Sequence, residues 1–261
     1  MSELKGIYAL WYRESKVFLR ERSRVISSII NPLLWLLIIG GGLGAAVSFG
    51  GINYQTFIYP GILIQTALFS SIFFGVYIVW DKKIDFMKEV LVAPMRRTSI
   101  FVGKILGGST DTFLQILILF VIGVVFMVAG IMPGLHLTVL SVLVSLAFLL
   151  VTTVGLVAIG LIIGSQMESP EGFQLIISFL IFPMFFLSGA LFPITNLPSW
   201  LSPFIFVNPV TYAVDGMRGV MLNSPTLSLT KFNVFLDFGV VCLFAIIMVL
   251  IGTYAFKKKK Q

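Results

Sequence analysis

The chain has 261 residues, of which 58% are hydrophobic and 11% charged, and its mean hydropathy is +1.04. Soluble domains carry about 25% charged residues, so the composition excludes a soluble protein and predicts an integral membrane protein. The net charge of +7 does not indicate nucleic-acid binding, because the basic residues cluster beside apolar runs, as residues that orient membrane proteins do.

Residues 1–24 are predicted to form an amphipathic helix on one membrane surface. Apolar side chains recur there at helical spacing, and basic side chains lie opposite them. The apolar residues are Leu4, Ile7, Tyr8, Trp11, Phe18 and Leu19, and the basic residues are Lys5, Arg13, Lys16 and Arg20. A helix of this kind lies in the membrane interface; the alternative is a solvated charged tail.

Six apolar segments follow, each long enough for a bilayer, which takes about 20 residues to cross. They comprise about 25–47, 57–80, 99–129, 137–164, the run that follows Glu171, and 232–256. Between the last two, residues 191–230 are broken by Pro193, Pro198, Pro203 and Pro209. Irregular backbone at membrane depth must be buried in protein or line a cavity, so we predict a re-entrant hairpin at the outer face.

The predicted fold class is an all-α integral membrane protein with six transmembrane helices in a single domain, 1–261. The six-span region covers 25–256, and a basic tail follows at 257–261. An even number of spans places both termini on one side, which then holds 16 of the 18 lysines and arginines. The positive-inside rule makes that side cytoplasmic. We therefore expect a multi-pass protein of the plasma membrane with cytoplasmic N- and C-termini.

Four polar patches lie between or just inside these spans. In chain order they are Asn31–Leu37; Asp81–Arg97 with Gly103 and Lys104; Phe182–Pro193 with Leu197–Leu201; and Asn208–Arg218. In this order the set closely resembles the permease subunits of type-2 ABC exporters, the ABC-2 type transporter family, which export drugs, lipids and polysaccharides. The resemblance covers essentially the whole chain.

The second patch is a charged connection of about 17 residues, far longer than a turn requires. Ile84, Met87, Val90 and Leu91 recur at helical spacing, and Pro94 ends the helix. The resemblance implies that this is the coupling helix, which docks into the ATPase subunit; the alternative is a helix packed on lipid headgroups. The implied contact residues are Asp85, Phe86, Met87, Glu89, Leu91, Pro94, Arg96 and Arg97. Many relatives carry Gly-Thr-Leu or Gly-Thr-Met where this chain has Asp85-Phe86-Met87, which leaves the fine geometry of the contact open.

Two further groups of residues are assigned roles. Glu168 and Glu171 form an acidic cytoplasmic loop and a second ATPase contact. An outer gate is predicted from Phe192, Pro193, Asn208, Pro209, Tyr212, Asp215 and Arg218. Asp215 and Arg218 are three residues apart on a short helix and are predicted to pair. Asp237, one turn into the last span, is predicted to be interfacial.

No catalytic, cofactor-binding or metal site is predicted in this chain. A phosphate-binding G-x-x-x-x-G-K-[ST] sequence is absent from the whole chain. ATP and magnesium are therefore expected on a separate P-loop ATPase. Two permease chains, either identical or different, are expected to assemble with two such ATPases. The 25 phenylalanines are consistent with an amphipathic substrate; the alternative is that these side chains face lipid. Gly160 and Gly164 are small residues four apart, a spacing that permits close helix approach.

The alternative function is a stand-alone secondary transporter or channel. Such proteins use intramembrane charges to bind a coupling ion. Asp111, about 10 Å deeper in the third span than Lys104 on a rise of 1.5 Å per residue, is the candidate charge. It could face a cavity in the dimer or a neighbouring span, or it could be a buried partner of serine or threonine side chains.

Overall fold

The structure, a computed structural model, describes residues 3–44, 47–49, 51–86, 95–194, 198–222 and 230–258. The helices are α1 (Glu3–Arg20), α2 (Arg22–Leu34), a π-helical segment (Trp35–Ile39), α3 (Gly40–Gly44), α4 (Tyr54–Phe73), α5 (Val76–Lys83), α6 (Arg97–Val128), α7 (Val139–Gln166), α8 (Pro170–Phe186), a 3-10 turn (Ser199–Leu201), α9 (Ser202–Val207), α10 (Pro209–Met221) and α11 (Val234–Lys258). A short antiparallel pair of strands, β1 (Ser48–Phe49) and β2 (Ile52–Asn53), precedes α4.

Within the described residues, five helical segments are long enough and apolar enough to cross a membrane. They are Val25–Gly44, Tyr54–Lys83, Arg97–Val128, Val139–Gln166 and Val234–Lys258. The chain is thus an all-α, multi-pass membrane protein. The predicted fifth span is the 17-residue helix α8, about 26 Å long at 1.5 Å per residue, slightly shorter than a hydrocarbon core of about 30 Å. The six-span topology therefore stays a prediction.

One end of the helix bundle holds both ends of the described chain. Glu3 accepts a hydrogen bond from Ser99 at the start of α6, and Lys257 at the end of α11 lines one cavity together with Arg97. Lys82, at the end of α5, donates to the carbonyl oxygen of Met167 beyond α7. We call this the terminal end.

The connections between helices on the other side lie together at the opposite end. The Asn53 amide donates to the carbonyl oxygen of Ile131 at 2.9 Å, and the Tyr54 hydroxyl donates to that of Leu191 at 2.9 Å. The His136 N–H donates to the Met221 carbonyl oxygen at 2.8 Å. We call this the loop end. Since Met167 and Leu191 lie at opposite ends, the chain passes from one end to the other through α8.

Helix α4 is the centre of the molecule and packs against α6, α7, α8 and α10. It gives way to α5 at Phe74 and Gly75, where the backbone meets α7 directly. A Cβ atom built on Gly75 would lie 2.0 Å from the carbonyl oxygen of Gly160, and one on Gly164 would lie 2.2 Å from the carbonyl oxygen of Gly75. The prediction that Gly160 and Gly164 permit close helix approach is confirmed.

Helix α1 packs lengthwise on α6 through a face that differs from the predicted apolar face. The residues buried in this contact are Gly6, Leu10, Glu14 and Phe18. Three residues assigned to the apolar face are instead exposed, namely Leu4, Tyr8 and Leu19. Gly107 allows the close approach, because a Cβ atom there would lie 2.6 Å from the Cβ atom of Glu14. The Trp11 indole N–H donates to the Thr110 hydroxyl at 2.9 Å.

Candidate functional site

The predicted coupling segment lies at the terminal end. Four of its assigned residues, Met87, Glu89, Leu91 and Pro94, lie outside the described residues. The other four lie in the two flanks of the segment. Asp85 and Phe86 belong to the first flank, before residues 87–94, and Arg96 and Arg97 belong to the second flank, after them. Both flanks contact α1.

The first flank turns sharply at Asp85. Its φ of +59° lies in the left-handed region, which glycine adopts freely and aspartate tolerates. Aspartate is therefore compatible with this turn, although it carries a Cβ atom. The turn places the Phe86 ring against α1, with the Arg13 guanidinium carbon 3.8 Å from the ring centroid, a cation–π contact.

Behind Phe86 lies a buried network of four charged side chains. The Lys104 Nζ atom lies 2.6 Å from Asp81 Oδ2 and 3.0 Å from Glu14 Oε1. Arg13 completes the ring of charges, at 3.0 Å from Asp81 Oδ1 and 2.8 Å from Glu14 Oε1. Lys104, Asp81 and Glu14 are almost fully buried, while Arg13 is partly exposed. Two cations and two carboxylates thus neutralise one another inside the protein.

This network joins three helices, because Arg13 and Glu14 belong to α1, Asp81 to α5 and Lys104 to α6. Removing one member of a buried ion pair leaves an uncompensated charge and typically costs about 3–5 kcal/mol. Arg13 was predicted to lie on the basic face of α1, and Asp81 and Lys104 were predicted to belong to the second polar patch, but their ion pairs with Glu14 were not predicted. A signal was available in Glu14, which shares the helical stripe of Ile7, Trp11 and Phe18; a carboxylate on an apolar stripe indicates a buried partner.

The second flank is held by the first turn of α1. The Glu3 carboxylate accepts hydrogen bonds from the Ser99 hydroxyl at 2.5 Å and from the Arg96 backbone N–H at 3.2 Å. These two bonds lower the pKa of the Glu3 carboxyl below its ordinary value, because both stabilise the charged form. Next to them Met95 packs on Gly6.

An apolar cluster lies between the two flanks. Leu10 of α1 and Ile100 of α6 are buried there, and Phe86 and Met95 pack against them. Phe86 immediately precedes residues 87–94 and Met95 immediately follows them. A single helix, α1, therefore fixes the start and the end of the predicted coupling segment.

The two glutamates of the predicted second contact are exposed at the same end. Glu168 lies in the α7–α8 connection, and Glu171 lies in the first turn of α8, where the helix dipole favours a carboxylate. The connection is attached to α5, because Lys82 donates to the carbonyl oxygens of Gly164 at 3.1 Å and Met167 at 3.0 Å. Lys82 is three residues before Asp85. It therefore connects the first predicted ATPase contact, which begins at Asp85, to the α7–α8 connection that carries the second.

Most of the predicted gate residues lie on or next to α10 at the loop end. The Asn208 side chain caps this helix by accepting the Val210 N–H at 3.1 Å, and its amide donates to the Met184 carbonyl oxygen at 2.7 Å. Pro209 occupies the first helical position, where its missing N–H is tolerated. The Tyr212 hydroxyl donates to the Phe206 carbonyl oxygen at 2.9 Å.

Asp215 and Arg218 form hydrogen bonds to different backbone segments, and their predicted pairing consists of the electrostatic attraction between the two charges. Asp215 accepts the N–H groups of Lys231 and Phe232, each at 2.9 Å. The guanidinium of Arg218 donates to the carbonyl oxygens of Gly189 at 2.6 Å and Ala190 at 3.0 Å. Backbone groups in these tight turns supply partners that residue spacing does not reveal. Phe192 and Pro193 follow the turn bound by Arg218 and are half-buried.

Two further carboxylates lie inside the protein. Asp237 is fully buried in the first turn of α11, because α10 covers this turn and brings Gly216 against it; its predicted depth at the membrane interface stays a prediction. Asp111 is 1% exposed, so within this single chain it faces neighbouring helices and not an open cavity.

Aromatic rings from the first, second and fifth apolar segments meet in the middle of the molecule. Phe69 of α4 makes edge-on contacts with Phe182 and Phe185 of α8, with centroids 6.0 and 6.1 Å apart. Trp35 of the π-helical segment makes a similar contact with Phe185 at 6.2 Å. The same α8 helix exposes an apolar stripe on its outer side, formed by Leu175, Phe179, Phe182 and Phe186.

Comparison with known proteins gives a consistent result. Residues 5–222 match the family described as ABC-2 type transporter. The chain is 30% identical to ycf38 of Cyanophora paradoxa, whose name describes a transport permease, over 97% of this chain and 89% of that protein. It is 28% identical to DrrC of Mycobacterium tuberculosis, whose name describes a doxorubicin resistance ABC transporter permease, over 80% and 74%. It is 24% identical to nodulation protein J of Rhizobium leguminosarum bv. viciae, over 96% and 93%.

Proposed function

Because the chain belongs to the ABC-2 type transporter family and is the membrane subunit of an ABC transporter, we propose that it exports an amphipathic or hydrophobic substrate from the cytoplasm. The power comes from a separate P-loop ATPase, which binds the ATP and magnesium. In this assignment the terminal end is cytoplasmic, the loop end is external, and α8 is the fifth of six membrane spans.

The attachment of both flanks of residues 87–94 to α1 carries this proposal. A partner that pulls on this segment would move Phe86 and Met95 together with α1. The buried network of Arg13, Glu14, Asp81 and Lys104 would pass the displacement to α5 and α6. A loop that only connected two spans would need no such support. Residues 85–94 therefore form the main ATPase contact, and Glu168 and Glu171 form a second one.

The exposed apolar stripe of α8 supports assembly with a second permease copy. Phe179 has 82% of its surface exposed and Phe182 49%, although the opposite side of α8 is buried against α4. In a symmetric dimer, such a stripe would face its copy or the substrate. The side chains of Trp35, Phe69 and Phe185, which contact one another, lie next to this stripe. An aromatic surface of this kind suits an amphipathic cargo.

At the external end, the predicted gate consists of residues 192–218. Asn208 and Arg218 tie α10 to the backbone at Met184 and Gly189, so α10 and the end of α8 would move as a unit. Release of substrate would then require this unit to shift relative to its counterpart in the second copy.

The first test is purification of the full chain, expressed from its native operon, in a mild detergent with mass spectrometry of the proteins that accompany it. We expect a P-loop ATPase in equal amount. A homo-oligomer without an ATPase, under conditions that preserve known complexes of this kind, contradicts the proposal and favours a secondary transporter.

The second test concerns the coupling segment. Glu89→Ala with Leu91→Ala should abolish transport-coupled ATPase activity while the complex still inserts into the membrane. Leu140→Ala, an apolar truncation at an exposed position of α7 at the loop end, is the control and should leave activity unchanged. Unaltered coupling in the double variant overturns the assignment of residues 85–94.

A further inference from the structure

A basic cavity lies at the terminal end, between the start of α6 and the end of α11. It has a volume of about 490 Å³ and is lined by Met95, Arg96, Arg97, Thr98 and Lys257. Three of its five lining residues are cationic, and they come from two different helices. Next to the cavity, α6 and α11 are in contact through the rings of Phe101 and Phe256, whose centroids are 4.8 Å apart. The cavity therefore sits where two membrane helices meet at one surface of the bundle.

The charge of the cavity is strongly positive. The Arg96 side chain is 82% exposed and its Nε atom lies 3.9 Å from a Glu3 oxygen, so the Glu3 carboxylate offsets part of the charge of Arg96. Lys257 is also exposed. The cavity further includes the beginning of α6, a helix of 32 residues, whose N-terminus carries a partial positive charge. These features favour an anion bound in the cavity.

The surface next to the cavity is apolar and belongs to a membrane-crossing helix. Leu250, Tyr254 and Lys257 are spaced four and three residues apart and so share one face of α11. Leu250 is 63% and Tyr254 64% exposed. Tyrosine is enriched where membrane helices reach the interface. A molecule whose anionic group occupied the cavity could therefore lay hydrocarbon chains along this face.

We propose that the cavity binds the phosphate headgroup of an anionic phospholipid, with the acyl chains on the exposed face of α11. Arg96, Arg97 and Lys257 hold the phosphate group. Basic pockets between membrane helices on the cytoplasmic side are established binding sites for such headgroups. The assignment moves Arg96 and Arg97 from the ATPase contact to the lipid, and leaves residues 85–94 as that contact. It goes beyond the transport function and needs no ATPase.

Lipid binding has a consequence for the coupling segment. The cavity includes Met95 and Arg96, which form the second flank of residues 87–94 and are attached to α1 through Gly6 and Glu3. A bound headgroup would neutralise Arg96 and hold this flank at the membrane surface. The charge of the inner leaflet would thereby set the position of the segment on which the ATPase acts.

The test measures lipid retention by the purified full chain. The protein in detergent is titrated with phosphatidylglycerol or phosphatidylcholine, and bound lipid is counted by native mass spectrometry. We expect a clear preference for phosphatidylglycerol. Each cation near a membrane surface contributes about fivefold in affinity, so Lys257→Gln should weaken binding about fivefold and the triple variant Arg96→Gln, Arg97→Gln, Lys257→Gln about a hundredfold.

Two controls make the result decisive. Arg20→Gln removes an exposed cation at the last residue of α1, outside the cavity, and should retain phosphatidylglycerol. Lys257→Arg should restore what Lys257→Gln loses, which separates charge from misfolding. If the triple variant retains phosphatidylglycerol as well as Arg20→Gln does, the proposal is wrong. If millimolar inorganic phosphate displaces the lipid, the site binds free phosphate and the lipid assignment is wrong.

Discussion

The Nζ atom of Lys104 lies 2.6 Å from Oδ2 of Asp81, and the two side chains are 0% and 5% exposed. Lys104 belongs to a membrane-crossing helix, and Asp81 lies in the last turn of α5, the helix that precedes residues 87–94. With Glu14 and Arg13 they join α1, α5 and α6 at the terminal end. The stability of this junction can be measured separately from transport.

Lys104→Met should lower the thermal unfolding temperature in detergent by roughly 10 °C, because loss of the ammonium group leaves Asp81 and Glu14 with Arg13 alone. Adding Asp81→Leu should recover part of the loss, since one cation then faces one carboxylate. Lys5→Met, at an exposed position of α1, is the control. A Lys104→Met protein as stable as this control would show that the network is not structural.

Gly160→Ala should destabilise the protein by about 1–3 kcal/mol, the usual cost of overpacking. A Cβ atom at this position would lie 2.3 Å from the carbonyl oxygen of Ile72. This clash is with main chain, so a change of side-chain rotamer cannot relieve it. Gly239→Ala is the matched control, because a Cβ atom there meets nothing within 4 Å and alanine favours a helix over glycine by up to about 1 kcal/mol. Chemical unfolding in detergent would compare them. Equal stabilities would refute the contact between α4 and α7.

Asp85→Gly should preserve ATPase coupling, whereas Asp85→Val should impair it. The left-handed conformation at φ +59° costs a residue with a Cβ atom about 1–2 kcal/mol, and a β-branched side chain is disfavoured most. Asp85→Asn, which tolerates this conformation, is the control for loss of charge. Coupling that is equal in the glycine and valine variants argues against a backbone requirement at this turn.

Arg218→Met should lower stability by about 1.5–3 kcal/mol for each charged hydrogen bond lost. The guanidinium binds two carbonyl oxygens and lies 3.9 Å above the Phe57 ring. Arg218→Lys keeps the positive charge and should therefore retain part of the stability. Lys231→Met, at an exposed cation of the same end, is the control. Thermal unfolding would rank the three proteins. A ranking with Lys231→Met lowest is inconsistent with a bracing role for Arg218.

The attachment of Glu3 should depend on pH in one direction. Its pKa is lowered by the bonds from Ser99 and Arg96, so the stabilisation is present above the ordinary glutamate pKa of about 4.3 and is lost as the pH falls through the lower, folded value. Ser99→Ala removes the larger cause and should raise the pKa of Glu3 towards its ordinary value, as carbon-13 NMR of labelled carboxyl groups would show. An unchanged pKa would mean that Ser99 does not bind Glu3 in solution.

The membrane helices were predictable because lipid selects long apolar runs, whatever they pack against. The contact of Gly160 and Gly164 was also predictable, since only small residues let two backbones meet. The buried face of α1 was not. Leu4 and Tyr8 are as apolar as Leu10, but in a membrane an apolar side chain can face lipid or protein at similar cost, so hydrophobicity did not distinguish them.

In the functional site, too, some features were predictable from the sequence and others were not. The order of the polar patches predicts the coupling segment and the gate, and both stay predictions. The partners of Lys104 were not identifiable, because Glu14 is 90 residues away along the chain and only the packing of α1 on α6 brings them together. Likewise, the spacing of Asp215 and Arg218 favoured a local pair, whereas the fold offered each of them backbone partners.

The glycine contact between the α4–α5 junction and α7 determines how stiff the molecule is. Elsewhere in a protein, side chains between two helices can change rotamer and absorb a small displacement. At Gly75 and Gly160 main chain meets main chain, so there is nothing to absorb it. We therefore expect a displacement of α5 at the terminal end to shift α7, whose other end lies beside α10, with little loss. In this way the backbone contact would connect the two ends of the helix bundle mechanically.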